Sequence, residues 1–296
     1  MFLSDTNGSK TKALEYFSKK FFQGLADSDR QFRQFIRKKG MINMGKSNGD
    51  TFTVSIIGDL PLVGSIAENV ETTAVNPTID KVSVTVKEYA SKIEYTNKLK
   101  NIAELPIEDI FRNKLAQQAA RSLDKVAHDE VFAVANLTAT PTSATALGWE
   151  VDGTTAGNSL YDLSLDHVLA ISSYIRANRI PLKDGKIYCV ASPTVLEPVK
   201  KELTSINQHT ESGFLRFVKG VVGEVYGVVF VEENNVNSTD AYFFGDEVGL
   251  EVVVEPEHIV IGTETDIGRF MEIGWRYTGA FSKITDNRVV KFVGKA

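Results

Sequence analysis

The stretch PIEDIFRNKLAQQAARSLDKVAHDEVFAVANL, residues 106–137, decides the fold because it predicts one helix far longer than its neighbours. Pro106 suits the first helical position, where a missing N–H costs nothing, and Glu108 and Asp109 place negative charge in the first turn. One narrow apolar stripe follows, made of Ile107, Phe111, Leu115, Ala119, Leu123, Val126, Val131 and Val134. At 1.5 Å per residue, roughly 30 residues span about 45 Å. We therefore expect a long helix that lies against the rest of the protein with its polar face, including His128, toward solvent.

The composition is that of a globular protein with a sizeable core. The 296 residues are 43% hydrophobic and 24% charged, and this length allows two subdomains. No apolar run reaches 18 residues, and the beginning MFLSDTNGSK lacks a basic segment followed by an apolar one, so neither a membrane span nor a secretion signal is predicted. Cys189 is the only cysteine, which excludes an intrachain disulfide, and its apolar surroundings predict a small buried side chain.

The net charge of −5 is unevenly distributed along the chain. Residues 1–46 contain ten Lys or Arg and four Asp or Glu, a balance of +6, so the remaining 250 residues carry −11. Within that remainder, residues 224–272 contain twelve acidic residues and only Arg269 as a strong base. Oppositely charged regions in one chain favour contacts between copies.

We interpret residues 1–49 as an N-terminal arm. Its pattern predicts a helix over about 11–24 and then a short amphipathic piece ending at Gly40, whose apolar side chains are Phe32, Phe35 and Ile36. Two uses of that piece stay open: it covers a neighbouring core, or it grips another subunit. Its cations fit either phosphate contacts or a solvated face. Arg33, Arg37 and Lys38 are candidate contacts between subunits.

Residues 50–99 predict a projecting two-stranded loop. Apolar residues alternate with polar ones over 52–56 and again over 82–87, a period of two that indicates strands, and a third extended stretch covers 92–99. The connection over 58–78 is too apolar for a free solvent loop. Either its own domain or a neighbouring subunit covers it. Its candidate inter-subunit contacts are Leu60, Leu62, Val63 and Ile66.

The second half of the chain alternates helices and strands before it becomes strand-rich. Residues 138–159, rich in Thr, Ala and Gly, predict an exposed loop and a boundary. Helices are expected over 163–178 and 193–205 and strands over 186–191 and 225–231, which indicates an α/β lobe. Strands are expected over 241–244, 250–254, 259–261, 269–277 and 289–293. The predicted organisation is arm 1–49, loop and adjoining strands 50–99, long-helix domain 100–160, α/β lobe 161–240, and return strands 241–296 that complete the long-helix domain.

Common metal-binding patterns are missing from the sequence. It contains no HExxH, CxxC or DxDxDG. Gly220, Gly223 and Gly227 approach dinucleotide-binding spacing but precede a strand, so they indicate turn geometry. His128, Asp129 and Glu130 point around a helix, and the other histidines, His167, His209 and His258, are far apart. We therefore expect no cofactor, no metal and no enzymatic activity.

The last third of the chain resembles a known family. The segments GEVYGVVFVEENNV (223–236), FFGDEVGLEVVVEP (243–256) and TDIGRFMEIGWRYTGAFSKITDNRVVKFV (265–293) are similar to the apical and closing strands of tailed-phage major capsid proteins with the Hong Kong 97-type fold, in the branch that contains the phage N-four coat protein. The positions that carry this resemblance are Gly268, Gly274, Trp275, Asp286 and Val290. The upstream order of arm, extended loop, long helix and α/β lobe is similar as well.

The resemblance implies an α+β fold with an N-terminal arm, an extended β-hairpin loop, a peripheral domain with a long spine helix, and an apical α/β domain. It implies a shell subunit that forms hexamers and pentamers around double-stranded DNA. Implied partners are other copies, a portal, a separate scaffolding protein, a decoration protein and packaged DNA, with no membrane; the implied location is the virion, assembled in the host bacterial cytoplasm. Two alternatives stay open: an encapsulin-type compartment subunit, and an α/β enzyme.

Overall fold

The computed structural model describes residues 32–39, 49–58, 60, 64–65, 71–72, 74–102, 107–151, 160–207, 224–233, 236–262, 266–285 and 287–295. The helices are α1 Asn97–Ile102, α2 Ile107–Ala127, α3 Leu165–Ala177 and α4 Pro193–Asn207. The strands are β1 Arg37–Lys39, β2 Thr51–Ile57, β3 Ile79–Thr85, β4 Lys87–Thr96, β5 Leu137–Pro141, β6 Leu147–Glu150, β7 Ile187–Ala191, β8 Glu224–Val225, β9 Val228–Glu232, β10 Asp240–Phe244, β11 Gly249–Ile261, β12 Phe270–Lys283 and β13 Val289–Val293.

The long helix α2 packs against a four-stranded sheet of order β1-β11-β12-β4. Small and apolar side chains make this contact: Leu115, Ala116, Ala119, Ala120 and Leu123 are all buried. A π-helical turn, His128–Phe132, continues α2, and strand β5 begins at Leu137. The expected helix over 106–137 is therefore too long at its C-terminal end, because residues 137–141 leave it to pair as a strand; Pro106 lies outside the described residues.

A seven-stranded sheet of order β6-β5-β13-β10-β7-β9-β8 forms a second core together with α3 and α4. Ser164 caps α3, and its side chain and that of His167 form a reciprocal capping box. The loop and boundary expected over 138–159 are wrong at their start, because β5 is fully buried and lies between β13 and β6. Its small and β-branched side chains fit a central strand as well as they fit a loop.

The last four strands, β10 to β13, are divided between the two larger sheets. Strands β11 and β12 belong to the sheet under α2, whereas β10 and β13 belong to the seven-stranded sheet. The segment 241–296, expected to complete the long-helix domain, contributes strands to both sheets, because the chain crosses between the sheets after β10 and again after β12.

Strands β2 and β3 form a two-stranded antiparallel sheet of their own, called the hairpin below. Their register runs from Thr51 opposite Thr85 to Ile57 opposite Ile79, which confirms the two strands predicted from the period of two. The hairpin is followed directly by β4, and neither of its strands pairs with another described strand. Most of its residues are exposed or half-buried.

The arm segment packs on the core of its own subunit. Phe32, Phe35 and Ile36 are buried around a 3₁₀ turn, and β1 then pairs in parallel with β11. Of the two uses considered for these apolar side chains, the structure shows the core-covering one. The helix expected over 11–24 lies outside the described residues.

Candidate inter-subunit surfaces

Arg33, one of the expected surface contacts, lies inside its own subunit and is only 2% exposed. Its Nε and Nη2 donate to Glu251 Oε1 at 3.0 and 2.5 Å, and its Nη1 and Nη2 donate to the carboxylate of Glu257 at 3.1 and 3.0 Å. Tyr277 also donates its hydroxyl hydrogen to Glu251 Oε1, at 3.1 Å. A guanidinium bonded in this way fixes the arm to β11.

Asp124 of α2 holds the backbone of the same arm turn. Its Oδ1 accepts hydrogen bonds from the backbone N–H groups of Phe32 and Arg33, both at 3.0 Å. Burial, together with the nearby carboxylate of Glu233, raises the pKa of Asp124 to about 6 against the lowering effect of these two hydrogen bonds. The arm is thus joined both to α2 and to the sheet beneath it.

The next two arm cations lie at the surface but also face acidic residues of their own chain. Arg37, 65% exposed, has Nη1 at 2.6 Å from Glu247 Oε1, and Lys38 Nζ lies 3.8 Å from Glu251 Oε2. The basic arm and the acidic region therefore do meet, but within one subunit at these residues. The expected contact between copies is corrected for Arg33, because its buried side chain has no surface to offer; for Arg37 and Lys38 it stays a prediction.

The far end of the hairpin exposes large apolar side chains. Ile57 is 69% exposed, Leu60 59%, Val75 55% and Ile79 62%. Ile57 and Ile79 are register partners on a face that is otherwise polar. Of the other predicted loop contacts, Leu62, Val63 and Ile66 lie outside the described residues. The hairpin end thus presents several large apolar side chains to solvent.

Each histidine in the described part of the chain contacts core or backbone groups of its own subunit. His128 was expected to face solvent but is 2% exposed, because it lies one turn after the buried Asp124 on the same face of the helix. The ring centres of Phe32 and Tyr242 lie 4.9 and 5.1 Å from that of His128. Burial lowers its pKa. His167 belongs to the capping box of α3, and His258 Nδ1 lies 2.9 Å from the carbonyl oxygen of Pro256.

No metal-binding cluster of three or more His, Cys, Asp or Glu occurs within the described residues. Cys189 is fully buried, as expected, and burial raises the pKa of its thiol. Gly227 has φ +75 in the turn between β8 and β9, in agreement with the turn interpretation of that glycine. None of the helices in the described part of the chain is both long and apolar enough to cross a membrane.

The fold is similar to that of phage capsid subunits. The capsid of the cyanophage P-SCSP1u matches with a TM-score of 0.72 and 11% identity, over 90% of this chain and 89% of that one. The capsid of Ralstonia phage GP4 gives 0.64 and 13% over 91% and 90%, and Mycobacterium phage Che8 gives 0.60 and 16% over 89% and 91%. At such identities these likenesses show a shared fold alone. No curated protein sequence matches the chain.

Arm, hairpin, long helix and two sheets thus define a subunit with the fold of a phage capsid. Residues 79–286, from β3 almost to the last strand, match the family described as phage capsid protein. The chain belongs to this phage capsid protein family. It is therefore a structural protein of a phage capsid, and its place is the virion.

Proposed function

We propose that this capsid protein has the Hong Kong 97-type fold, in the branch that contains the phage N-four coat protein. In this proposal α2 is the spine helix of the peripheral domain, the seven-stranded sheet belongs to the apical domain, and the hairpin is the extended loop. Hexamers and pentamers of the chain enclose double-stranded DNA. A portal, a separate scaffolding protein and a decoration protein complete the particle, which assembles in the cytoplasm of the host bacterium without enzymatic activity of this chain.

The hairpin carries the proposal that neighbours complete each subunit. An isolated two-stranded hairpin is marginally stable in water, and this one pairs with neither larger sheet while it exposes Ile57, Leu60, Val75 and Ile79. Burying each apolar side chain of this size at a contact stabilises the assembly by roughly 1.5 to 3 kcal/mol. We assign the loop residues Leu60, Leu62, Val63 and Ile66 to contacts with a neighbouring subunit, as the sequence indicates.

The encapsulin-type compartment is the less favoured reading of the same architecture. Its subunit would need the same arm, loop and helix, but the family match over residues 79–286 is to phage capsid proteins. The enzyme alternative has no support from the described histidines, which hold caps and core contacts. A genome-filled particle separates the first two readings, since a compartment would hold protein cargo.

Electron micrographs of the purified assembly test the proposal, with a matched pair of hairpin variants. Wild-type protein is expected to form closed shells with pentameric and hexameric units. Leu60→Asp combined with Val75→Asp should leave folded, soluble subunits and no shells, because two buried charges at the contact oppose assembly. Ser55→Asp, an exposed position on the same hairpin, is the control and should assemble. A wild-type yield of shells from the double variant would contradict the assignment of these contacts.

A further inference from the structure

Two buried titratable side chains lie one turn apart beneath the arm. Asp124 of α2 is fully buried, and His128 of the π-helical turn is 2% exposed. Phe32 of the arm, which is also fully buried, contacts both of them. Its backbone N–H donates to Asp124 Oδ1 at 3.0 Å, and its ring centre lies 4.9 Å from that of His128. The arm turn around Phe32 therefore covers an acid and a base together.

Each of these two side chains has a second polar atom with no hydrogen-bond partner among the described residues. Asp124 Oδ1 accepts the backbone N–H groups of Phe32 and Arg33, but its Oδ2 has no donor. His128 Nδ1 lies 2.7 Å from Asp129 Oδ1, but its Nε2 has no partner. Because burying an uncompensated charge is strongly unfavourable, both side chains favour their neutral forms. The neutral acid carries its hydrogen on Oδ2, and the neutral imidazole carries its hydrogen on Nδ1, toward Asp129.

The polar groups around the pair do not outweigh its burial. Six titratable side chains from the surrounding elements face it: Arg33 of the arm, Lys125 and Asp129 at the helix end, Glu233 after β9, and Asp240 and Tyr242 of β10. Burial, helped by Glu233 and opposed by Arg33 and the two backbone hydrogen bonds, raises the pKa of Asp124 to about 6. Burial also lowers the pKa of His128, against the carboxylates of Asp129 and Asp240. Tyr242 stays neutral, since burial raises the pKa of its hydroxyl.

Release of the arm turn reverses both preferences. When Phe32 leaves, the two backbone donors depart with the turn and water reaches both side chains. The pKa of Asp124 then returns toward its ordinary 3.8, and that of His128 toward its ordinary 6.5. Between about pH 4 and pH 6, the released pair is therefore a carboxylate beside an imidazolium, whereas the docked pair is a carboxylic acid beside a neutral imidazole.

We propose that docking of the arm turn transfers one proton from His128 to Asp124, so that the arm is a latch that closes over a neutral pair. The proton leaves Nε2 of the imidazolium and binds Oδ2 of the carboxylate. No other bond changes, and the total charge is conserved. This inference concerns the single subunit and does not depend on the proposed function.

The transfer determines how the latch responds to pH. Because the docked and released states hold the same number of protons, the wild-type latch is nearly insensitive to pH over this interval. A chain that lacks one member of the pair gains or loses a proton on release. Removing either Asp124 or His128 therefore converts the latch into a pH switch, and the two switches have opposite signs.

Hydrogen exchange followed by mass spectrometry on the unassembled subunit measures this response. The opening equilibrium is obtained from the fragment that contains residues 32–36, after division by the intrinsic exchange rate at each pH. His128→Gln leaves only Asp124, which loses a proton on release, so opening should rise roughly tenfold from pH 5 to pH 7, as a pKa change from about 6 to 3.8 requires. Asp124→Asn leaves only His128, which gains a proton on release, so opening should fall over the same interval. The wild-type profile should lie between the two and be flatter than either.

Two control variants separate the latch from general effects on stability. Lys114→Gln, at an exposed position on α2, should reproduce the wild-type profile. Asp124→Asn combined with His128→Gln should give an opening equilibrium that is flat with pH. Slopes of the same sign in the two single variants, or a wild-type slope as steep as that of His128→Gln, would overturn the transfer. A double variant that keeps the slope of either single variant would assign the pH dependence to another group.

Histidine-selective nitrogen NMR of the subunit tests the docked histidine directly. The signal of His128, assigned by its loss in His128→Gln, should titrate with a midpoint below 6.5. Phe32→Ala removes the ring that covers His128 and should move the midpoint toward 6.5. A wild-type midpoint at or above 6.5, or one that Phe32→Ala leaves unchanged, would contradict the loss of a proton from His128 on docking. Absence of wild-type shells would refute the proposed function and leave these measurements unaffected.

Discussion

Replacing Arg33 with Met should destabilise the unassembled subunit far more than the same replacement at Arg37. The two arginines lie four residues apart in the arm, and each faces carboxylates of its own chain. Their burial differs: side-chain exposure is 2% for Arg33 and 65% for Arg37. Without Arg33, the carboxylates of Glu251 and Glu257 remain buried without their shared cation.

The magnitude follows from that difference in burial. Removing one partner of a buried ion pair costs about 3 to 5 kcal/mol, because a charge is left without compensation. An exposed pair contributes at most about 1 kcal/mol. A folded subunit is stable by roughly 5 to 15 kcal/mol, so Arg33→Met removes a large share of the total while Arg37→Met leaves it almost unchanged.

Urea unfolding of the subunit gives the measurement. The background is Leu60→Asp with Val75→Asp, which keeps the protein unassembled, and the readout is the midpoint at an unchanged slope. A second variant, Glu257→Gln, should cost much less when Arg33 is already Met, since the pair acts as a unit. Equal losses for Arg33→Met and Arg37→Met, or strictly additive losses in the cycle with Glu257→Gln, would refute the buried-pair reasoning.

Two further predictions concern the long helix α2. Ala119→Leu should overpack its contact with the sheet and lower the stability of the unassembled subunit by about 1 to 3 kcal/mol in thermal unfolding, whereas Gln117→Leu on the exposed side should stay within about 0.5 kcal/mol. If Ala119→Leu leaves the melting temperature unchanged and blocks only assembly, this face of α2 belongs to an interface. Asp124 has a folded-state pKa of about 6, above its ordinary 3.8, so its contribution to stability is largest in acid and is lost as the pH rises through that interval. Asp124→Asn keeps both accepted hydrogen bonds without the charge, so its stability advantage over wild type should grow by about 1 kcal/mol between pH 5 and pH 7; an advantage that is flat with pH would contradict the raised pKa.

Local patterns in the sequence predicted the local structure well. The period of two over 52–56 and 82–87 identified both hairpin strands, and the helix expected over 163–178 is α3. These signals depend on residues that are near each other in the chain, so no knowledge of distant partners is needed. The resemblance of the last third pointed to the family that the match over 79–286 shows.

The errors arose where long-range pairing decides the structure. Residues 138–141 read as loop by composition, but they form a central strand because β13, about 150 residues later, pairs on one side and β6 on the other. His128 was assigned to the polar face of the helix, but the rings of Phe32 from the arm and Tyr242 from β10 cover it. In both cases the deciding partner lies far away in sequence.

The sequence also could not show where the oppositely charged segments meet, and this decides which charged residues can act in assembly. An excess of cations in the arm and of acids in 224–272 was visible, but not whether they meet within or between subunits. Arg33 and Glu251 are 218 positions apart and meet inside one subunit, where their charges are shielded from other copies. Steering between subunits must therefore come from charges left at the surface, such as Lys98 and Asp80. An assembly assay in which Arg33 is reversed would report misfolding of the arm, so only variants at exposed charges can measure contacts between copies.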